Sequence, residues 1–216
     1  MQTLERPQTA PSQGAFSPQV EEPRAHPLTW HEYQLLTEGG AFQERRVELI
    51  EGVIYDKMAA MLGPHALAVS RIDRTFRRAF DGQAAIRGQS AIKLNESSRP
   101  EPDLVLARGV EEDYPDHPVP ADLLLVLEVS DSTLSFDRRT KASAYARAEI
   151  VEYWIVNITE RQLEIHRGPQ RDSAMPFGWG YSVRLIVPES GRAATLWQSE
   201  VEFAVADLLP RAASEG

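Results

Sequence analysis

The sequence predicts an α+β (or α/β) fold: a mixed central β-sheet flanked by helices and extended by C-terminal β-hairpins. Three observations carry this. Residues 123–129 are almost all apolar, as in a central strand buried on both faces. A helical pattern over 137–149 is followed by a second apolar run at 151–157, so strand, helix and strand follow in order and require a crossover with at least one parallel pair. From residue 162 onward the pattern alternates with period two, as hairpin strands do. With 216 residues, 42% of them hydrophobic, the chain suffices for one core of ordinary size and is short for two.

The elements can be taken in order. Residues 1–27 hold Pro7, Pro11, Pro18, Pro23 and Pro27 among Gln and Ser and carry few large apolar side chains, a composition that cannot offset its ordering entropy. We expect a disordered arm at 1–27, a single domain at 28–210 and a short tail at 211–216. Thr29 and Glu32 form a capping-box signature, after which Trp30, Tyr33 and Leu36 recur at helical spacing until Gly39 and Gly40. Residues 46–55 alternate polar and apolar about Glu51-Gly52, which reads as a β-hairpin. After Gly63-Pro64, a helix carries Val69, Ile72, Phe76 and Phe80 on one face and Arg71, Arg74 and Arg78 on the other. Short strands are expected at 84–87, 89–94 and 103–107, a polar loop at 109–121, and a Gly/Pro-rich loop at 168–180 between strands 162–167 and 181–187. Trp154 reads as core.

Composition narrows the function. No apolar run approaches the roughly 18 residues of a membrane helix, and no basic and apolar leader opens the chain, so we expect a soluble cytoplasmic protein. The absence of cysteine excludes disulfides, thiolate nucleophiles and Cys-based zinc sites. A metal would therefore be held by oxygen ligands or histidine, which favours a hard cation such as Mg²⁺. The net charge of -9 argues against non-specific coating of nucleic acid but leaves room for a local basic groove. An amine has three candidates, Lys57, Lys93 and Lys141, Lys93 being the weaker for its place in a strand.

Asp103 opens one expected strand directly after Pro102, and Glu128 lies near the end of the buried one. On neighbouring strands their carboxylates would repel unless a cation sat between them. Glu128 interrupts an apolar run, where an isolated carboxylate costs several kcal/mol; the competing reading is that it emerges at the strand end and is solvated or paired with an arginine. Lys141 lies on the returning helix, placed to balance this charge. Its bland reading is a solvated residue paired with Asp137 at i,i+4.

Family resemblance adds weight. The runs Arg46-Val-Glu-Leu-Ile-Glu-Gly, Pro102-Asp103-Leu-Val, Leu127-Glu128-Val-Ser-Asp-Ser-Thr, Asp137-Arg-Arg-Thr-Lys141-Ala-Ser-Ala-Tyr145 and Glu152-Tyr-Trp-Ile-Val together resemble the Uma-type restriction endonuclease family of the PD-(D/E)XK superfamily, over residues 28–167. The resemblance implies a restriction-endonuclease-like sheet and a Mg²⁺-dependent endonuclease acting on DNA, with Mn²⁺ as a substitute ion. Asp103 and Glu128 would hold the metal, Glu48 would complete the acidic cluster, and Lys141 would assist a water nucleophile. In the simplest superfamily members the lysine stands two positions after the second acid; Ser130 is there, and Lys141 takes its place from the next helix. Asp131 stands where relatives usually carry proline.

His65 resembles a histidine often found at the helix start and is a candidate to contact phosphate or position a water, against the reading of a surface residue. Arg71, Arg74 and Arg78, with Arg138 and Arg139, are candidates for a phosphate-tracking groove, against a solvated face. Tyr145 is placed to orient Lys141 through its hydroxyl, against simple ring packing. The competing functional class is an inactive nuclease fold that binds nucleic acid or a protein partner. Cutting both strands of a duplex at a palindrome would call for a two-fold homodimer.

Overall fold

The computed structural model describes residues 24–57 and 63–211. The expected arm therefore lies outside the described residues except at 24–27, as does the tail beyond Arg211.

Helix α1 (Trp30–Glu38) begins at the capping box, with the Glu32 N–H donating to Thr29 Oγ1 at 3.3 Å and the Thr29 N–H to Glu32 Oε2 at 2.8 Å. Strands β1 (Val47–Ile50) and β2 (Val53–Asp56) close an antiparallel hairpin over Glu51 and Gly52, with φ of 50° and 79°. Positive φ at both central residues is what a two-residue turn of the primed kind requires. Helix α2 (Pro64–Phe80) buries Ala68, Ile72, Phe76 and Phe80 and turns its arginines outward.

The main sheet has six strands in the order β3-β4-β5-β6-β7-β8: β3 (Ala85–Gly88), β4 (Leu104–Ala107), β5 (Leu123–Ser130), β6 (Glu152–Asn157), β7 (Gln162–Arg171) and β8 (Trp179–Pro188). Only β5 and β6 run parallel, joined by a helical crossover of α3 (Leu134–Phe136), a π turn (Asp137–Lys141) and α4 (Ala142–Arg147). A separate pair, β9 (Arg192–Ala194) with β10 (Glu202–Ala204), and the short α5 (Val205–Leu208) follow.

The core has two layers, one on each face of the sheet. Ile72, Phe76, Leu125, Leu127, Trp154 and Phe203 fill the α2 side, where Phe76 stacks on Phe203 at 4.7 Å. Val126, Tyr145, Tyr153 and Ile155 fill the α4 side. Each such side chain contributes about 1.5–3 kcal/mol by leaving water. Alternation along β5 puts Leu125, Leu127 and Val129 toward α2, so Glu128 shares the α4 face with Val126.

Three boundaries differ from expectation. Residues 89–94 form no ladder strand; Ile92, Lys93 and Leu94 donate instead to Pro100, Pro118 and Ser98. Pro100 and Pro102 lack the N–H groups a continuous ladder would need. The crossover helix starts at Leu134 rather than 137, because Leu134 and Phe136 pack on the α4-side core, and it ends when Glu149 takes φ of 61°. The loop expected at 168–180 shrinks to 172–178, since β7 and β8 continue past Gly168, whose φ is 67°.

Candidate active site

The antiparallel register that pairs Leu104 with Leu127 places Asp103, one residue earlier, across from Glu128. The Val129 N–H then donates to Asp103 Oδ2 at 2.8 Å, fixing that carboxylate against the end of β5. His65, in the first turn of α2, reaches the same oxygen with Nε2 at 3.3 Å. Asp103 and Glu128 are both buried, at 8% and 3% exposure.

Lys141 and Tyr145 stand one turn apart on the crossover and converge on one atom. Lys141 Nζ donates to Glu128 Oε1 at 2.9 Å and the Tyr145 hydroxyl to the same oxygen at 2.7 Å. Among the described residues, both side-chain hydrogen bonds to Glu128 reach Oε1 and none reaches Oε2. Glu48, from β1, meets Lys141 Nζ through Oε1 at 3.4 Å and accepts the Glu101 N–H on Oε2 at 3.2 Å. The π turn brings Asp137 and Lys141 to the same side, both buried, and Thr133 Oγ1 donates to Asp137 Oδ2 at 2.6 Å. A wide turn of this kind is frequent at functional sites. Ser130, also fully buried, follows Glu128 on the same face of β5, and the lysine absent from that position enters from the π turn instead.

Glu48, Asp103, Glu128, Asp137, His65 and Lys141 line a cavity of about 290 Å³, with Arg46 and Lys57 also in its wall. Its electrostatics are uneven. Burial raises the Glu128 carboxyl to about 8, and Asp103, Asp137 and Glu48 add to this against the pull of Lys141. Burial also pushes Asp103 upward, but His65, the Val129 N–H and Lys141 outweigh it and hold Asp103 below the usual carboxylate range. Lys141 is disfavoured as a cation by burial, yet Glu128, Glu48 and Asp137 hold its ammonium well above the ordinary lysine value. The Asp103 carboxylate raises His65 above its usual range.

Asp103 and Glu128 suit a hard cation: two neighbouring buried carboxylates, one oxygen of Glu128 taken by donors and the other not, in a wall with more acids than bases. Two carboxylates with water and substrate phosphate are a usual Mg²⁺ complement. Among the described residues no three His, Cys, Asp or Glu side chains gather as a metal-binding group, and Lys141 Nζ lies within reach of both Glu48 and Glu128, at 3.4 Å and 2.9 Å.

The structure thus brings together Glu48, Asp103, Glu128, Lys141 and His65. It does not bring Arg71, Arg74 or Arg138 to this cavity. Arg71 donates to the carbonyls of Ala206 and Asp207, and Arg74 lies beside it in a separate depression with Arg78. Arg138 is held by Glu164 at 3.0–3.1 Å through Nε and by Glu160 at 3.2 Å. Arg139 donates to the Ala174 carbonyl. Tyr145 serves Glu128 rather than Lys141. The sequence singles out Lys57 only as one of three candidate amines and gives Arg46 no role; the signal for both is that they flank the β1–β2 hairpin, where the Lys57 N–H donates to the Arg46 carbonyl at 2.8 Å.

No helix among the described residues is long and apolar enough to cross a membrane. No curated protein matches the chain. A crystal structure of a putative nuclease belonging to DUF820, from Anabaena variabilis ATCC 29413, is similar in fold, with a TM-score of 0.59 at 15% identity over 84% of this chain and 97% of that one. The family model described as Uma2, putative restriction endonuclease, matches residues 30–195, and the chain belongs to this family.

Proposed function

We propose that this protein is a divalent-metal-dependent endonuclease that hydrolyses phosphodiester bonds of DNA, using Mg²⁺ or Mn²⁺ at Asp103 and Glu128. The observation that carries the reading is the buried Lys141–Glu128 pair facing Asp103 within one cavity. Family membership and the nuclease title of the structural neighbour support it.

When bound, the ion supplies Lewis acidity to a phosphate oxygen and to an attacking water. The chain's own groups do the rest. Tyr145 and Lys141 hold Glu128 by Oε1 and leave Oε2 for the cation. Val129 and His65 fix Asp103. Because its acidic neighbours keep Lys141 protonated at neutral pH, it is no proton acceptor; its role is to stabilise negative charge developing on the phosphate. Glu48, itself fixed by the Glu101 N–H on its other oxygen, holds that ammonium in register, so Glu48 acts on the lysine rather than as a third metal ligand. Arg46 and Lys57, each paired with Glu101, also line the wall within reach of a substrate phosphate.

The test is cleavage of a mixed DNA pool in Mg²⁺ and in Mn²⁺ by the wild type and by Lys141→Met. We expect metal-dependent cleavage that falls about 10²–10³-fold in the variant, the usual effect of removing one transition-state donor. Unaltered cleavage by Lys141→Met removes the lysine from the mechanism. No cleavage by the wild type in either ion leaves the alternative, a nuclease fold that binds without cutting.

A further inference from the structure

The two edges of the six-stranded sheet are treated differently. At β3, four residues long, the edge is closed by side chains: the Ile86 N–H donates to Glu111 Oε1 at 3.3 Å, and Arg77 donates to the Ile86 carbonyl at 3.1 Å. At the opposite edge β8 is ten residues long. Beyond its ladder with β7, no hydrogen bond reaches the backbone of residues 182–187 among the described residues. The same stretch exposes Val183, Leu185 and Ile186 at 42%, 44% and 46%. A long, apolar edge with unpaired backbone groups is a template for strand addition, which natural proteins otherwise block with charge, proline or cover, as β3 is blocked here.

We infer that β8 pairs antiparallel with β8 of a second copy, joining two sheets into one of twelve strands about a two-fold axis at Leu185. Two features select a second copy over another strand. First, one face of the strand is apolar and symmetric about Leu185: an antiparallel copy sets Leu185 against Leu185 and Val183 against Val187, on the face that carries Leu163 and Ile165 of the core, while on the other face Ile186 meets Arg184. The joint thereby extends that core face from one copy into the next. Second, the edge is locally neutral in a chain of net charge -9. Residues 179–188 contain no acid, and their one base, Arg184, donates to buried Glu164 at 2.7 Å. Two copies that repel over most of their surface meet here without like charges facing one another. The inference does not depend on the reaction proposed for the cavity.

The chain has no cysteine, which allows a direct test. The wild type, Leu185→Lys and two single-cysteine variants, Leu185→Cys and Arg74→Cys, are measured by sedimentation velocity at micromolar concentration. The cysteine variants are also treated with diamide, which takes up the two electrons and two protons released as a disulfide forms. The wild type is expected near twice the chain mass of 24.2 kDa, Leu185→Lys at that mass with an unchanged circular dichroism spectrum, and Leu185→Cys as a cross-linked dimer. Arg74→Cys, on the exposed face of α2, should remain uncross-linked. A monomeric wild type overturns the inference. So does a dimer that fails to cross-link through position 185 while persisting in Leu185→Lys.

Discussion

Glu128 was legible from its neighbours alone. A carboxylate inside an apolar run must be paired or neutralised, and it proves to be both paired with Lys141 and raised to about 8. Lys141 was not legible in that way. An isolated lysine beside Asp137 reads as a solvated helix residue, and only the ordered set of motifs pointed to it. Arg138 shows the opposite failure: its partner Glu164 lies 26 residues away on β7, a contact that no local pattern announces. The His65–Asp103 contact gives a prediction at this scale. Because the folded-state value of His65 is raised, the stability it contributes is fully present below its ordinary value of about 6.5 and is lost as pH rises through the raised value. At the acid end the same contact is lost as pH falls through the depressed value of Asp103. His65→Gln should therefore lower the thermal midpoint at pH 6 by about 2–4 °C, the shift that roughly 1 kcal/mol makes in a domain of this size, and by less at pH 9. An equal loss at both pH values would show that the ring is held by packing rather than by charge.

Elements marked by local chemistry were read correctly: the Thr29–Glu32 capping box, the Glu51-Gly52 turn and the apolar stripe of α2. Those decided by distant partners were not. Segment 89–94 has strand-like residues but donates to the carbonyls of Pro100, Pro118 and Ser98, and the π turn at Asp137–Lys141 leaves no compositional trace although it sets the direction of Lys141. The hairpin turn does a second task. Gly52 has φ of 79°, and a Cβ there would run into the Pro27 side chain, whose neighbour Leu28 donates its N–H to the Gly52 carbonyl at 3.0 Å. Gly52→Ala combines strained φ with this collision, and we expect a loss of about 1–3 kcal/mol in urea unfolding. Because β1 carries Glu48, the affected hairpin is also the one that steadies Lys141. A loss near zero would mean that residues 27 and 28 do not seat on the turn.

At the scale of the whole molecule, topology gathers the site. The antiparallel β4–β5 pair sets Asp103 beside Glu128, the β5–β6 crossover returns Lys141 and Tyr145 over the same face, and β1 and α2 add Glu48 and His65 from outside the sheet. The parallel pair and the buried strands were legible because strand, helix and strand follow in order. The placement of β9, β10 and α5 was not, since Phe203 finds Phe76 across more than half the chain. What the gathering produces is a buried excess of carboxylates, which a cation bound only to the folded state should stabilise. The measurement that tests this most directly is the thermal midpoint against Mn²⁺ concentration for the wild type and Asp103→Asn, a change that removes charge and keeps shape. At about 100 times Kd the wild type should gain roughly 2.7 kcal/mol, and Asp103→Asn should lose most of that gain while remaining folded. Equal Mn²⁺ shifts in the two proteins would contradict a metal site at Asp103 and Glu128.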